Sequence, residues 1–165
     1  MAIEIRKAQK SDMKKIMILL NEVLELHAKI RPDIFISGTT KYTEDELLNI
    51  ISNENTPVFV ACDDNNCVLG YAFCIMKKQP FSTNMRDFKT LFIDDLCVDE
   101  SSRGLHIGTL LYKYVLNYAK EKGCYDVTLN VWEGNDSARA FYEKMGMKVK
   151  ETQMEVILDS KYDKW

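Results

Sequence analysis

A strand, a glycine-bearing turn and an amphipathic helix follow one another just past the middle of the chain. The mostly apolar run Leu91–Val98 is typical of a strand, and Leu105–Tyr118 carries apolar residues at helical spacing. Gly104 and Gly108 lie at the turn. The first N–H groups of a helix have no partner within it, and the helix dipole adds partial positive charge there. The sequence therefore predicts an α/β domain with room for an anionic group at this helix start.

The other elements alternate between strands and helices. In order, we expect a strand at Ile3–Lys7, a helix capped by Ser11 and ending before Pro32, a helix from Thr43 to Ser52, strands at Pro57–Cys62, Cys67–Met76 and Phe88–Val98, a helix ending at Gly123, a strand at Tyr125–Val131, a helix from Asn135 to Met145, and a strand at Met147–Leu158. This order, β-α-α-β-β-β-α-β-α-β, describes a mixed α/β fold. No repeat or linker divides it, so we expect residues 1–165 to form a single domain.

Composition and charge argue against several classes of function. The 165 residues include 22 Lys and Arg against 25 Asp and Glu, and the basic residues are scattered, so no nucleic-acid partner is expected. No apolar run approaches the roughly 20 residues of a membrane span, and Met1–Arg6 lacks the pattern of a signal peptide. The five cysteines have no metal-ligand spacing. We expect a cytoplasmic protein with reduced thiols, no membrane association and no metal.

The glycine turn alone permits more than one interpretation. Many helix starts need glycine for turn geometry, and the dinucleotide fingerprint G-x-G-x-x-G requires three glycines at another spacing. The run Arg103–Gly108, however, resembles the [RQ]-x-x-G-x-[GA] motif of the GNAT superfamily of N-acetyltransferases. His106 departs from the pattern, since it stands where that family most often has a glycine. We interpret His106 as a solvent-exposed loop residue rather than a catalytic one.

The resemblance extends over Phe88–Val149. The strand segment Asp94–Val98 is similar to the fourth strand of the family, and Asn135–Gly146 resembles its N-x-x-A-x-x-F-Y-E-x-x-G signature. The resemblance implies a single-domain GNAT fold, with a mixed, mostly antiparallel central sheet flanked by helices. It also implies acetyl-CoA as cofactor and CoA as product, in a cleft where the fourth and fifth strands separate.

Carried over residue by residue, the resemblance implies a cofactor site built mainly from backbone groups. The strand end would pair with the pantetheine arm, the turn would hold the pyrophosphate, and an asparagine would bind the arm from the other side. The residues concerned are Leu96, Cys97, Val98, Arg103, Gly104, Leu105, His106, Ile107, Gly108, Thr109 and Asn135.

Three side chains are candidates for the chemistry. Tyr142 matches the family's tyrosine general acid. The alternative is a core tyrosine, because one helical stripe is formed by Ala138, Phe141, Tyr142 and Met145. Asp94 and Asp95 resemble the Glu-Asp pair of spermidine/spermine acetyltransferases, which implies a base at Asp94 and an amine-binding group at Asp95. The alternative is a pair of solvated carboxylates. Adjacent strand residues point to opposite faces, so we expect at most one of the two to face the core side.

The first helix and the loop after it are expected to line an acceptor pocket. His27, Asp33 and Phe35 fit an H-x-x-x-R-P-D-x-F pattern that resembles some small-molecule GNAT enzymes, which implies that they contact the substrate. A hydrogen-bonded core histidine is the alternative for His27.

The sequence therefore predicts an acetyl-CoA-dependent N-acetyltransferase that transfers an acetyl group to a primary amine of a small molecule such as a polyamine. The amine would attack directly in a ternary complex. Protein or peptide acetylation is an alternative, since fold and cofactor do not choose the acceptor. A non-catalytic CoA-binding module is another, although such a module needs no proton donor. The resemblance also makes a homodimer possible.

Overall fold

Five strands form one sheet in the order β1-β2-β3-β4-β5. The computed structural model describes residues 1–80, 82–159 and 161. The strands are β1 (Glu4–Lys7), β2 (Val58–Cys62), β3 (Val68–Lys78), β4 (Lys89–Val98) and β5 (Asp126–Leu129). The first four strands are antiparallel neighbours, whereas β5 runs parallel to β4. The predicted mixed, mostly antiparallel sheet is confirmed.

Within the described residues, four helices flank the sheet: α1 (Met13–Ile30), α2 (Glu44–Ser52), α3 (Ile107–Glu121) and α4 (Asp136–Lys144). Thr43 caps α2 by accepting a hydrogen bond of 3.2 Å from the Glu46 N–H. The predicted cap Ser11 is wrong, because it lies inside the 3₁₀ turn Lys10–Asp12 that precedes α1. Along the part of the chain that the structure describes, no helix is long and apolar enough to cross a membrane.

The sheet is buried on both faces, which explains its apolar strands. Side chains of β2 alternate: Val58 and Val60 pack toward α1 and α2, whereas Phe59 and Ala61 pack toward α3. The α3 stripe of Ile107, Leu111, Tyr112, Val115 and Ala119 closes the second face. Two helix layers thus hold the sheet between them.

A β-bulge interrupts the pairing of β3 with β4. Cys74 pairs with Ile93 and Phe73 pairs with Asp95, so Asp94 is the extra residue of the bulge. Directly paired residues share a face of the sheet, and Phe73 faces α1, so Asp95 also faces α1. Asp94 borders the same cavity as Asp95. The expectation that only one of the two carboxylates faces this side is wrong, because the bulge resets the alternation.

The β4 and β5 strands pair over only part of β4. Their parallel register joins Thr90–Ile93 to Asp126–Leu129 and ends there. Beyond this point Asp95–Val98 remain paired with β3, and β5 has ended. The two strands therefore separate at the bulge, next to the start of α3.

The predicted last strand, Met147–Leu158, does not form. The Met147 N–H donates to the Tyr142 carbonyl. Residues 148–158 make no backbone hydrogen bond to any residue that the structure describes. Met154 and Leu158 are 84% and 91% exposed. A strand requires a neighbouring strand to satisfy its backbone groups, and apolar alternation alone does not provide one.

Candidate active site

The turn before α3 presents unpaired backbone donors. The first intrahelical bond joins the Leu110 N–H to the His106 carbonyl, and among the described residues no acceptor is found for the N–H groups of residues 106–109. His106 has the left-handed backbone conformation, with φ 58°. This conformation favours glycine and explains why the motif usually has glycine there. The side chain of His106 is exposed, as predicted.

The end of β4 offers a second row of backbone groups beside that turn. Leu96, Cys97 and Val98 pair with β3 on one edge, and β5 ends before it can cover the other edge. Such an edge can bind an extended ligand as an added strand. The open edge of β4 and the unpaired N–H groups at the start of α3 therefore lie next to each other.

Helix α4 packs against the same turn. A Cβ built on Gly108 would lie 3.4 Å from Cζ of Phe141. Asn135 caps α4 through a 3.4 Å hydrogen bond from the Ala138 N–H, so its side-chain oxygen is already used within the helix. Asn135 therefore serves the fold, and its amide NH₂ group is the part left for a ligand.

Tyr142 of α4 is partly buried among aromatic rings. Its ring centroid lies 6.4 Å from that of Tyr112 and 5.2 Å from that of Phe141. Burial raises the pKa of Tyr142, and the charge of Asp95 raises it further. The phenol therefore keeps its proton at neutral pH.

A cavity of about 280 Å³ lies between α1, the loop that follows it and the bulge of β4. Its wall is mainly apolar, with two carboxylates, one imidazole and one ammonium group. The lining residues are Leu20, Val23, Leu24, His27, Ile34, Phe35, Ile36, Thr39, Thr40, Lys41, Asp94 and Asp95.

Asp95 lines this cavity, is partly buried and is hydrogen-bonded to Tyr71 of β3. The Tyr71 hydroxyl donates a hydrogen bond of 2.6 Å to its carboxylate. Burial raises the pKa of Asp95, although this hydrogen bond and the charge of Lys41 act in the opposite direction. Asp95 is therefore a fixed acidic group with a weakened tendency to ionise.

Asp94 lies nearer to solvent and has a different partner. The ammonium group of Lys41 lies 3.0 Å from its carboxylate, and the two side chains are 42% and 27% exposed. Burial lowers the pKa of His27, and the charge of Lys41 lowers it further. His27 is therefore largely neutral at pH 7.

Of the four predicted acceptor residues, His27, Phe35 and Asp95 line the cavity and Asp33 does not. The rings of His27 and Phe35 lie 5.1 Å apart, and Trp132 packs edge-on against Phe35 at 5.5 Å. Asp33 instead holds Arg31, whose Nε and Nη2 donate to its two oxygens at 2.9 and 2.7 Å. Asp33 therefore fixes the loop rather than facing the cavity.

The sequence profile of the acetyltransferase (GNAT) family matches residues 20–147, well over half of the chain. The chain belongs to this family. It is accordingly an N-acetyltransferase, and acetyl-CoA is the acetyl donor that GNAT enzymes use.

Related proteins support this assignment. The chain is 27% identical to glucosamine 6-phosphate N-acetyltransferase of Arabidopsis thaliana, over 94% of this chain and 97% of that protein. It is 26% identical to thialysine N-epsilon-acetyltransferase of Bos taurus, over 87% and 83%. The crystal structure of a mutant BH1408 protein of Bacillus halodurans superposes with a TM-score of 0.89 at 32% identity, over 94% of this chain and 99% of that one.

The polar partners of the two cavity carboxylates were missed by the sequence analysis. Lys41 lies in an irregular loop without periodic pattern, and no sequence signal pairs it with Asp94. Tyr71 has the appearance of a core residue of β3, and only its fold partner Asp95 gives the hydroxyl a role.

Proposed function

We propose that this GNAT enzyme acetylates a primary amine of a small molecule, bound in the cavity between α1, the loop and the bulge. The observation that carries the proposal is the cavity itself, because its volume of about 280 Å³ is at the scale of a small metabolite. Its apolar wall suits a carbon chain, and its charged residues suit an amine. A peptide acceptor is the competing function.

Acetyl-CoA fits the open strand edge and the donors at the start of α3. The backbone of Leu96–Val98 would hold the extended pantetheine arm, and residues 103–109 would hold the pyrophosphate. Asn135 would contact the arm through its amide NH₂ group. Bound there, acetyl-CoA supplies a thioester carbonyl that an amine can attack directly in a ternary complex.

Proton transfer is assigned to two groups of the chain. An amine with an unperturbed pKa near 10.4 is neutral in only about 1 molecule in 2,500 at pH 7, so the acceptor must lose a proton before it attacks. Asp94 would accept that proton, directly or through water, and Asp95 would help to hold the amine. Tyr142 would donate a proton to the leaving thiolate. The phenol is protonated at neutral pH, as a proton donor must be, and its raised pKa makes it a weaker acid than an exposed tyrosine.

The acceptor need not be a polyamine. The Lys41 ion pair neutralises Asp94, and burial disfavours the ionised form of Asp95, so the cavity is less acidic than its two carboxylates suggest. The relatives act on glucosamine 6-phosphate and thialysine, which supports a small amine in general.

A homodimer is also proposed. Residues 148–158 are here called the C-terminal segment. Two ion pairs hold this segment: Lys150 lies 2.9 Å from Asp126 of β5, and Glu155 lies 2.5 Å from Arg31 at the end of α1. It carries exposed apolar side chains, and β5 pairs with β4 on one edge only. An extended apolar segment and an open strand edge on the same side suit pairing with a second copy of the chain.

A cytoplasmic location remains our proposal. The five cysteines are free thiols, as is usual in a reducing compartment.

Acceptor screening tests the proposal. Purified enzyme is incubated with acetyl-CoA and amino acids, polyamines, amino sugars, aminoglycosides or peptides, and CoA release is measured together with the mass of the product. We expect turnover of at least one small amine and none of the peptides. Acetylation of peptides alone would contradict the proposal.

A further inference from the structure

Lys41 is the one lysine or arginine among the described residues that line the acceptor cavity. Its ammonium group lies 3.0 Å from the Asp94 carboxylate. An amine that binds Asp94 directly, rather than through water, competes with Lys41 for this carboxylate, because both groups are cations. In this binding mode the acceptor displaces Lys41 from Asp94.

The displaced ammonium group needs another partner. Among the groups facing it, Asp95 is partly buried and already receives the Tyr71 hydrogen bond. His27 has no negative charge to offer, and Tyr42, whose ring lies 5.3 Å from the ammonium, keeps its phenol proton because burial raises its pKa. A diamine would bring a second positive charge next to Lys41 and leave that charge uncompensated, which is unfavourable in a partly desolvated site.

An acceptor that carries both an amine and an acidic group leaves neither Lys41 nor Asp94 without a partner of opposite charge. Its amine takes the place of Lys41 at Asp94, and its anion takes the place of Asp94 at Lys41, so every charge keeps a partner. Lys41 lies on a loop outside the helices, and its side chain is exposed. Its ammonium group can therefore turn from Asp94 toward the anion of the acceptor. Thr40, the neighbour of Lys41 in the chain, also lines the cavity and has a hydroxyl group that can donate to an anion.

Part of the cavity wall is apolar. Leu20, Val23 and Leu24 of α1 line the same cavity as the charged groups. Such a wall suits the carbon skeleton that joins an amine to an acid.

We infer that Lys41 selects an acceptor that carries both a primary amine and an anionic group, either carboxylate or phosphate. The inference rests on the proposed small-molecule function, and it names a narrower class of substrate for that cavity.

The test compares acceptor pairs that differ only in the anionic group. Lysine and cadaverine differ by a carboxylate, and glucosamine 6-phosphate and glucosamine differ by a phosphate. Initial rates with saturating acetyl-CoA give kcat, KM and kcat/KM for each acceptor. The two pairs also distinguish a carboxylate from a phosphate as the recognised group.

The variants are Lys41→Met, which keeps the aliphatic stem without the charge, Lys41→Arg, which keeps the charge, and Lys29→Met as a matched control on the exposed part of α1. We expect the wild type to prefer the acidic member of one pair by about tenfold or more. Lys41→Met should abolish that preference by raising KM for the acidic member, whereas Lys41→Arg and Lys29→Met should retain it. Thermal melting and calorimetric binding of acetyl-CoA exclude a folding defect.

Each result has a distinct meaning. If both members of a pair are acetylated equally well and Lys41→Met leaves their ratio unchanged, the small-molecule function stands and the inference about Lys41 is wrong. If neither pair is acetylated and peptides are, the proposed function fails, and the inference fails with it.

Discussion

The Tyr71 hydroxyl donates a hydrogen bond of 2.6 Å to the Asp95 carboxylate, which joins β3 to β4 beside the bulge. Tyr71 is fully buried, and burial raises the pKa of Asp95 above its usual range. A carboxyl group with a raised folded-state pKa stabilises the fold at low pH, and this contribution is lost as the pH rises through the folded pKa. Ionised Asp95 therefore costs folding free energy at neutral pH.

Asp95→Asn tests this cost. Asparagine keeps an oxygen acceptor for Tyr71 but cannot ionise. We expect the free energy of unfolding of the variant, relative to wild type, to increase as the pH rises above about 4, because only the wild type has to ionise a carboxyl group with a raised pKa. Urea unfolding at several pH values measures the difference, with exposed Asp87→Asn as control. A difference independent of pH would show that Asp95 has an ordinary pKa in the folded state.

Tyr142→Phe tests the general acid. The variant keeps the aromatic contacts with Tyr112 and Phe141 and removes the proton. We expect kcat to fall by about 100-fold or more while the Kd for acetyl-CoA, measured by calorimetry, changes little. Tyr125→Phe removes a phenol that is 78% exposed and should leave kcat unchanged. Equal kcat values for wild type and Tyr142→Phe would remove Tyr142 from the mechanism.

Gly108 lies where the end of β4, the start of α3 and Phe141 of α4 meet. A Cβ at this position finds ordinary contacts, 3.4 Å from Phe141 and 3.7 Å from Val98, so Gly108→Ala should bind acetyl-CoA normally. Gly108→Leu overpacks the junction and displaces the turn, and we expect the Kd to rise by about tenfold or more. Calorimetry with both variants separates steric disturbance from loss of the glycine itself. Unchanged affinity in Gly108→Leu would place the cofactor elsewhere.

His106→Gly should stabilise the protein. A side chain in the left-handed conformation carries a steric cost, and glycine at φ 58° has none, so we expect a gain of roughly 1 kcal/mol in the free energy of unfolding. His106→Ala removes the imidazole but keeps the Cβ and should bring no gain. If both variants gain equally, the imidazole rather than the backbone is responsible.

Met154→Asp tests the proposed dimer. A charge in the C-terminal segment opposes its burial against a second copy, so we expect the variant to be monomeric under conditions in which the wild type is dimeric. Light scattering after size-exclusion chromatography measures the mass. Leu26→Asp, at a partly exposed position on α1, is the control and should remain dimeric. A monomeric wild type would contradict the dimer.

Periodic elements of the fold were predictable from the sequence. The apolar stripe of α3 and the apolar runs of β2 and β3 indicate which residues are buried, because both faces of the sheet are covered by helices. The turn at Arg103–Gly108 was predictable because its motif consists of neighbouring residues, so the sequence alone contains all of it.

Features that depend on contacts between distant segments were not predictable. The bulge at Asp94 arises from the register between β3 and β4, and no single strand encodes it. Lys41 meets Asp94 only because the loop after α1 folds back onto the sheet. The Met147–Leu158 segment has the alternation of a strand but lacks the neighbour that would make it one, because sequence pattern reports side-chain preference and not hydrogen-bond partners.

One wall of the cavity belongs to the central sheet and another belongs to the loop after α1. Asp94 and Asp95 belong to the central sheet, where a change disturbs packing on both sides, whereas Lys41 belongs to a surface connection that tolerates replacement. A descendant of this enzyme could therefore acquire a new acceptor through a few substitutions in the loop, without loss of acetyl transfer. Divergence of substrate range would then proceed on one wall of the cavity while the other wall stays constant.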